Sequence, residues 1–249
     1  MSNDIFEYTN VPLPEDCKFK ISPSSISKFF EYPIIWYKDQ VLGETQFDGN
    51  TASVLGTVIH ALAESYSRGI QTDRTMIDTF LRKYRFRTDI DTDTIKSLYP
   101  DMAALLINDY LRHNPASEVE QSLCHEVKDG IYVAGTFDNR TGSTIVDYKN
   151  VTTKPKADKI PWNYYIQLMA YAWMCKQEGI EIDKIRLVYT VRPTKTLPPR
   201  LFKVTQVINE QDYQAIEDVL TLIADTVLLG TEKPELNYLL YKSMQLKDS

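Results

Sequence analysis

Cysteine is scarce: the 249 residues hold only three, Cys17, Cys124 and Cys175, far apart and odd in number. Such a set builds no disulfide framework and fits a reducing compartment, so the chain reads as cytoplasmic. No C-x-x-C occurs, which leaves a zinc ribbon without support. Long apolar runs are missing too. No stretch approaches the roughly 20 residues of a membrane span, and the opening MSNDIFEYTNVPLPED has neither a basic leader nor an apolar core. Nor is there an excess of positive charge. Lys plus Arg total 28 against 34 acids, a net charge of −6, so the chain is no general coat for nucleic acid and any phosphate contact has to be local. Internal repeats and low-complexity tracts are absent. What remains is ordinary globular composition, 43% hydrophobic, in a chain long enough for one large α/β domain or two small ones.

Residues 1–20 read as a loose, polar arm. Beyond them, SPSSISKFFEYPIIWYKDQ offers Ser22 to Ser25 as helix caps and an aromatic-rich helix bent or ended by Pro33. A second helix is expected over 51–68, with Val54, Val58, Leu62 and Tyr66 as its apolar stripe. Helices over 74–87 and 94–112 complete an α-helical N-terminal region. Strands follow over 118–128, 131–138 and 144–149, then a helix over 162–177, strands over 184–191 and 201–207, and a helix over 210–229. That order predicts an α/β (α+β) fold with a central mixed β-sheet flanked by helices.

The stretch GTFDNRTGSTIVDYKN, residues 135–150, reads as a hairpin turning at Asn139, Gly142 and Ser143. Alternation puts Ile145, Asp147 and Lys149 on one face of its second strand, with Val146 and Tyr148 on the other. Asp138 lies near the start of that strand or, if the strands splay, beside Asp147. Two carboxylates and an ammonium then converge. Taken alone, D-x-K is more simply a surface ion pair on an edge strand.

On the helix over 51–68, Thr57, His60 and Glu64 fall together on the side away from the apolar stripe. A neutral imidazole there can bind a divalent metal, with Glu64 holding the ring's second nitrogen; an exposed helix histidine with an i,i+4 partner is the plainer account. Gly56 suggests the helix start or a close approach by another backbone. Gln167 and Tyr171 stand one turn apart on the helix after the hairpin. In the loop KNVTTKPKADK, Lys149, Lys154, Lys156 and Lys159 face a single acid, a composition suited to a phosphate backbone. LRKYRFR, residues 81–87, interleaves basic residues with Tyr84 and Phe86, fit for phosphates and base stacking or simply for a solvated helix face.

In chain order the motifs are Ser22-Pro23-Ser24-Ser25-Ile26, Gly56-Thr57-Val58-Ile59-His60, Gly135-Thr136-Phe137-Asp138, Asp147-Tyr148-Lys149 and Gln167 to Tyr171. The series resembles the PD-(D/E)XK nuclease superfamily, in particular its RecB-like exonuclease branch, over residues 21–192. The resemblance implies a restriction-endonuclease-like core: one nuclease domain over 21–230, a helical insertion at about 70–115 and a tail over 231–249. It implies that Asp138, Asp147 and the Tyr148 carbonyl hold one or two Mg²⁺ or Mn²⁺ ions, hard cations that prefer oxygen, with His60 as the branch's additional ligand. Lys149 would orient water or stabilise charge on phosphorus, Gln167 and Tyr171 would position Lys149 and the phosphate, and Glu126 is a weaker candidate, as a ligand or as a group that supports the ligands from behind. Iron–sulfur members of the branch carry a cysteine before the early proline; here Tyr32 precedes Pro33, and no cysteine cluster follows Glu232, so no cluster is expected.

The expected activity is metal-dependent cleavage of DNA, single- or double-stranded, by an exonuclease of bacterial or phage recombination, repair or replication, with a protein of those processes as a further partner. A structure-specific or restriction-type endonuclease on the same core, and a DNA-binding accessory protein without turnover, are the alternatives.

Overall fold

A computed structural model describes residues 5–6, 10–44, 49–155 and 158–232. The element order is β1 (Phe19–Ile21), α1 (Ile26–Glu31), α2 (Pro33–Gln40), α3 (Thr51–Ser67), α4 (Arg74–Leu81), α5 (Thr92–Asp109), β2 (Glu118–Lys128), β3 (Ile131–Thr141), β4 (Thr144–Val151), α6 (Trp162–Gln177), β5 (Lys184–Val191), β6 (Arg200–Val207) and α7 (Glu210–Glu232). Six strands make one mixed sheet in the order β1-β3-β4-β5-β6, with β2 on the other edge of β3. Strands β4 and β5 run parallel because α6 carries the chain back between them. This is the mixed, helix-flanked α+β sheet expected of the restriction-endonuclease-like core.

Each face of the sheet has its own core. On one side α1, α2, α6 and α7 pack over Ile145, Leu187, Phe137 and Val133. On the other, α3, α4 and α5 pack over Val146, Tyr148 and Val188. The alternation along β4 is therefore the one its sequence implies, and both faces are covered, so even Asp147 is buried.

Local chemistry sets the elements that matter for the site. A reciprocal cap starts α3: Ser53 N donates to Asn50 Oδ1 at 3.0 Å and Asn50 N to Ser53 Oγ at 2.8 Å. Its buried face is Val54, Leu55, Val58 and Ile59, not the four-residue stripe, since Tyr66 is 39% exposed. Gly56 lies inside this helix, where an added Cβ would meet only Asn150 Nδ2 at an ordinary 3.8 Å. It marks neither a helix start nor a tight backbone approach. Ser25 does not cap through its side chain; buried, it donates to Ser22 O at 2.8 Å and accepts from Trp36 Nε1 at 3.3 Å. Pro33 does end α1, taking the first position of α2.

The expected arm over 1–20 contains part of the fold. Phe19–Ile21 adds a parallel strand to β3, and Lys18 N donates to Gly130 O at 2.8 Å. The β2–β3 turn is Asp129-Gly130, with φ of 46° and 83°, the left-handed pair that a two-residue hairpin turn requires. In the β3–β4 hairpin the turn is Gly142-Ser143, while Asn139 is a buried strand residue.

Candidate active site

Strand β3 is paired along one edge by β2 from Glu118↔Arg140 to Lys128↔Ile131. Its other edge is shared. β1 occupies it at Ile131–Val133, and β4 only at Asn139, Arg140 and Thr141. Among the described residues no strand lies beside 134–138 on that edge, so the hairpin opens at Asp138 into a notch. Gly135 lines the notch for a steric reason. A Cβ there would stand 2.9 Å from Pro23 Cδ and 3.0 Å from Tyr171 Oη, so three of the five motifs meet at one point.

The splayed strands put Asp138 and Asp147 on opposite sides of the notch. Asp138 Oδ2 accepts from Tyr148 N at 2.8 Å and lies 3.5 Å from His60 Nδ1 on α3. Asp147 Oδ1 accepts from Lys149 Nζ at 2.9 Å and from Gln167 Nε2 on α6 at 3.4 Å. Its Oδ2 is 2.7 Å from the same ammonium, so the ion pair engages both oxygens, although only the Oδ1 contact has hydrogen-bond geometry. Tyr171 is buried against Gly135, its ring edge-on to Phe137 at 6.0 Å.

His60 Nε2 lies 2.8 Å from the Tyr148 carbonyl oxygen. The ring's second nitrogen thus faces Asp138 and not Glu64, which pairs with Arg68 at 2.9 Å. Both nitrogens face acceptors. Burial works against the imidazolium, but the Asp138 carboxylate overrides it and pushes His60 up to about 9. Burial also works against ionised Asp138, and His60 overrides it in turn, holding that carboxyl below the usual range. Asp147 goes the other way. Burial, with the Asp138 charge adding to it against the pull of Lys149, pushes it up to about 6.

Beside His60 and Asp138 lies a cavity of about 200 Å³, lined also by Glu64, Arg68, Thr136 and Glu120. Glu120 is a site residue that sequence reasoning misses. It falls opposite Asp138, between the pairs Val119↔Asn139 and Gln121↔Phe137, with φ at 48° in the left-handed region. Such a backbone costs a glutamate on the order of 1 kcal/mol or more. Burial, with the charges of Asp138 and Glu64, pushes its carboxyl up to about 8. Strand alternation alone carries no signal for it, because its meaning comes from the register with β3.

Other candidates lie elsewhere. Glu126 is no ligand: its Oε1 accepts from Gly130 N at 2.8 Å at the far end of β3. Lys154 stands over the Phe202 ring at 5.0 Å, and Lys159 is exposed. Lys156 lies outside the described residues, as do 233–249 of the expected tail. In 81–87, Phe86 is 83% exposed, Leu81 is buried, and Arg87 pairs with Asp89 at 2.6 Å.

Among the described residues no three His, Cys, Asp or Glu side chains form a ready-made metal cluster. The donor set nevertheless fits a hard divalent cation once the Tyr148 carbonyl is counted. Both Asp147 oxygens are held by one ammonium alone apart from the long Gln167 contact, the carboxylates outnumber the cations that face them, and His60 Nε2 and the Tyr148 carbonyl converge at 2.8 Å.

No curated protein matches significantly. Among solved structures, a protein from Eubacterium rectale whose exonuclease assignment is itself provisional has a TM-score of 0.58 at 15% identity, over 89% of this chain and 85% of its own. LHK-Exo in complex with dAMP has a TM-score of 0.39 at 14% identity, over 91% and 94%, and SSO0001 one of 0.33 at 15%, over 82% and 86%. Of these three the first supports the fold, and the fold alone. The sequence model of the PD-(D/E)XK nuclease superfamily matches residues 20–235, and with the notch assembled as that motif order requires, the chain belongs to this superfamily of nucleases.

Proposed function

We propose that the protein is a Mg²⁺- or Mn²⁺-dependent deoxyribonuclease, acting as an exonuclease on DNA ends. The observation that carries the reading is the union of Asp138, Asp147, Lys149, His60 and the Tyr148 carbonyl in one notch between α3 and α6. Pure DNA binding needs lysines, not two largely buried carboxylates facing one another across a notch. His60, Asp138, Asp147 and the Tyr148 carbonyl would hold one or two divalent cations, which would supply a Lewis acid and lower the pKa of bound water.

The chain's own groups do the rest. Asp138 accepts from the Tyr148 N–H and so ties β4 to β3 at the notch. Lys149, salt-bridged to Asp147, offers an ammonium to a water or to the charge that builds on phosphorus. Gln167 holds Asp147, and Tyr171 fills the floor at Gly135. Lys154, Lys156 and Lys159 take phosphates along the strand; replacing them with alanine should lower the salt slope of duplex binding by about 0.9 for each phosphate no longer neutralised. Three cysteines, all free, support a reducing cytoplasm, that of a bacterium or a phage-infected cell, and leave no four thiolates for an iron–sulfur cluster. Recombination, repair or replication is the setting that consumes DNA ends in this way.

The experiment is digestion of end-labelled linear and circular DNA, single- and double-stranded, with Mg²⁺, Mn²⁺, Ca²⁺ or EDTA. Cleavage from ends with Mg²⁺ or Mn²⁺, and none in EDTA, is expected. Full activity in EDTA sinks the metal reading, cutting of closed circles makes the enzyme an endonuclease, and binding without cutting makes it an accessory protein.

A further inference from the structure

The Gln167–Tyr171 pair is the lower part of a longer stripe. At about 100° per residue, Tyr164, Gln167 and Tyr171 fall within about 60° of arc on α6. Each meets a different part of the notch. Tyr171 Oη would crowd a side chain at Gly135, Gln167 donates to Asp147 Oδ1, and the Tyr164 ring lies under the Lys149 ammonium, 5.0 Å from Nζ to its centroid. Trp162, two residues earlier, is turned about 160° away from Tyr164, stacks on Tyr165 and stays half exposed. The aromatic at 164 is thus the first-turn residue that faces the site.

We infer that Tyr164 is a positioning residue for Lys149, its ring face holding the ammonium over the notch. The inference rests on the nuclease reading of the same site. A lysine side chain has four rotatable carbons, and its head must stand where charge develops. In the structure two groups restrain it, the Asp147 carboxylate on one side and the Tyr164 ring on the other. Those restraints differ in what a divalent cation does to them. Once Asp147 shares its charge with a cation, its hold on the ammonium weakens, while a ring face has no charge to share. The ring then keeps the lysine from swinging out to solvent, to which its side chain is already 22% exposed. The ring matters here and the hydroxyl does not.

The test compares Tyr164→Phe with Tyr164→Leu, with Tyr164→Met in place of the latter should it not fold. Two readouts are used: cleavage of linear DNA at saturating Mn²⁺, and the ε-methylene signals of ¹³C-lysine-labelled protein, with Lys149 assigned by its loss in Lys149→Arg. The expected result is an upfield ring-current shift of the Lys149 signal in wild type and in Tyr164→Phe, lost in Tyr164→Leu. With it, kcat should fall roughly tenfold in Tyr164→Leu and stay near wild type in Tyr164→Phe, KM for DNA changing little in either. An unshifted Lys149 signal in wild type, a wild-type kcat in Tyr164→Leu, or an equal fall in Tyr164→Phe overturns the inference. If wild type cuts no DNA, the nuclease reading fails; the shift still decides the contact, its presence sustaining the ring's hold on Lys149 and its absence removing it.

Discussion

At one end of the β2–β3–β4 meander, the exposed Glu126 carboxylate accepts the N–H of the buried Gly130 in a tight turn, 2.8 Å away. At the other end Asp138, Asp147 and Glu120 gather around one notch, two of them pushed up by burial. The same strand, β3, joins the two. A carboxylate kept for structure is matched to a backbone donor and left in reach of water. The carboxylates at the notch are crowded and desolvated, a cost that accords with the proposed role in chemistry.

The largest effect that could break this comparison is at Asp147. Asparagine there should abolish cleavage, by ~1,000-fold or more, the upper end of what loss of an electrostatic stabiliser costs. Its melting temperature without cation should be no lower than wild type. The folded-state pKa of Asp147 lies above the ordinary carboxylate value, so folding favours its protonated form; between pH 4 and 6 that advantage fades, and at pH 7 the ionised group is a burden that a neutral amide lifts. A large drop in melting temperature would mean that Asp147 is a structural acid like Glu126. Next is Lys149→Ala, with a loss of about 100-fold in rate and DNA binding retained, read by fluorescence anisotropy beside a gel assay.

Gly135→Ala comes third and sharpens the contrast from within the notch. Its Cβ must displace the Pro23 ring and the Tyr171 hydroxyl, so it should cost about 1–3 kcal/mol by overpacking. In a chain of this size each kcal/mol lowers the melting temperature by about 2–4 °C. Activity should fall with it, because Tyr171 shares a helix face with Gln167. A neutral alanine would show that the floor of the notch is slack.

How much of this is legible in the sequence follows from what each feature depends on. The hairpin and the placement of Asp147 and Lys149 on one face need only alternation within 144–149 and a glycine turn, both local. His60 emerges from helical spacing in the same way, although its partner, Asp138 and not Glu64, is set by how α3 lies on the sheet. β1 has three residues, too few for a period. The buried face of α3 departs from the expected stripe because α5 and the sheet cover Leu55 and Ile59, leaving Tyr66 outside. Glu120 and Tyr164 need tertiary information, one a strand register and a positive φ, the other the docking of α6 beside β4. A D-x-K by itself cannot tell a surface ion pair from a metal site; only the order of five motifs along the chain separates the two.

The smallest effect belongs to the structural end. Glu126→Ala removes the acceptor for the Gly130 N–H, and Gly130 is itself buried, so water reaches that donor poorly. The loss should be ~1 kcal/mol, near the usual net worth of one such bond, or a few degrees in melting temperature. Glu126→Gln keeps an oxygen acceptor on a side chain of the same length and should recover most of it. Neither change should alter the cleavage rate, since Glu126 stands where β3 begins, at the opposite end from Asp138. Both variants belong in the same melt and the same gel. A fall in rate without a fall in stability would place Glu126 in the chemistry after all; a fall in stability with glutamine as deep as with alanine would mean that its charge, not the bond to the turn, is what the fold uses.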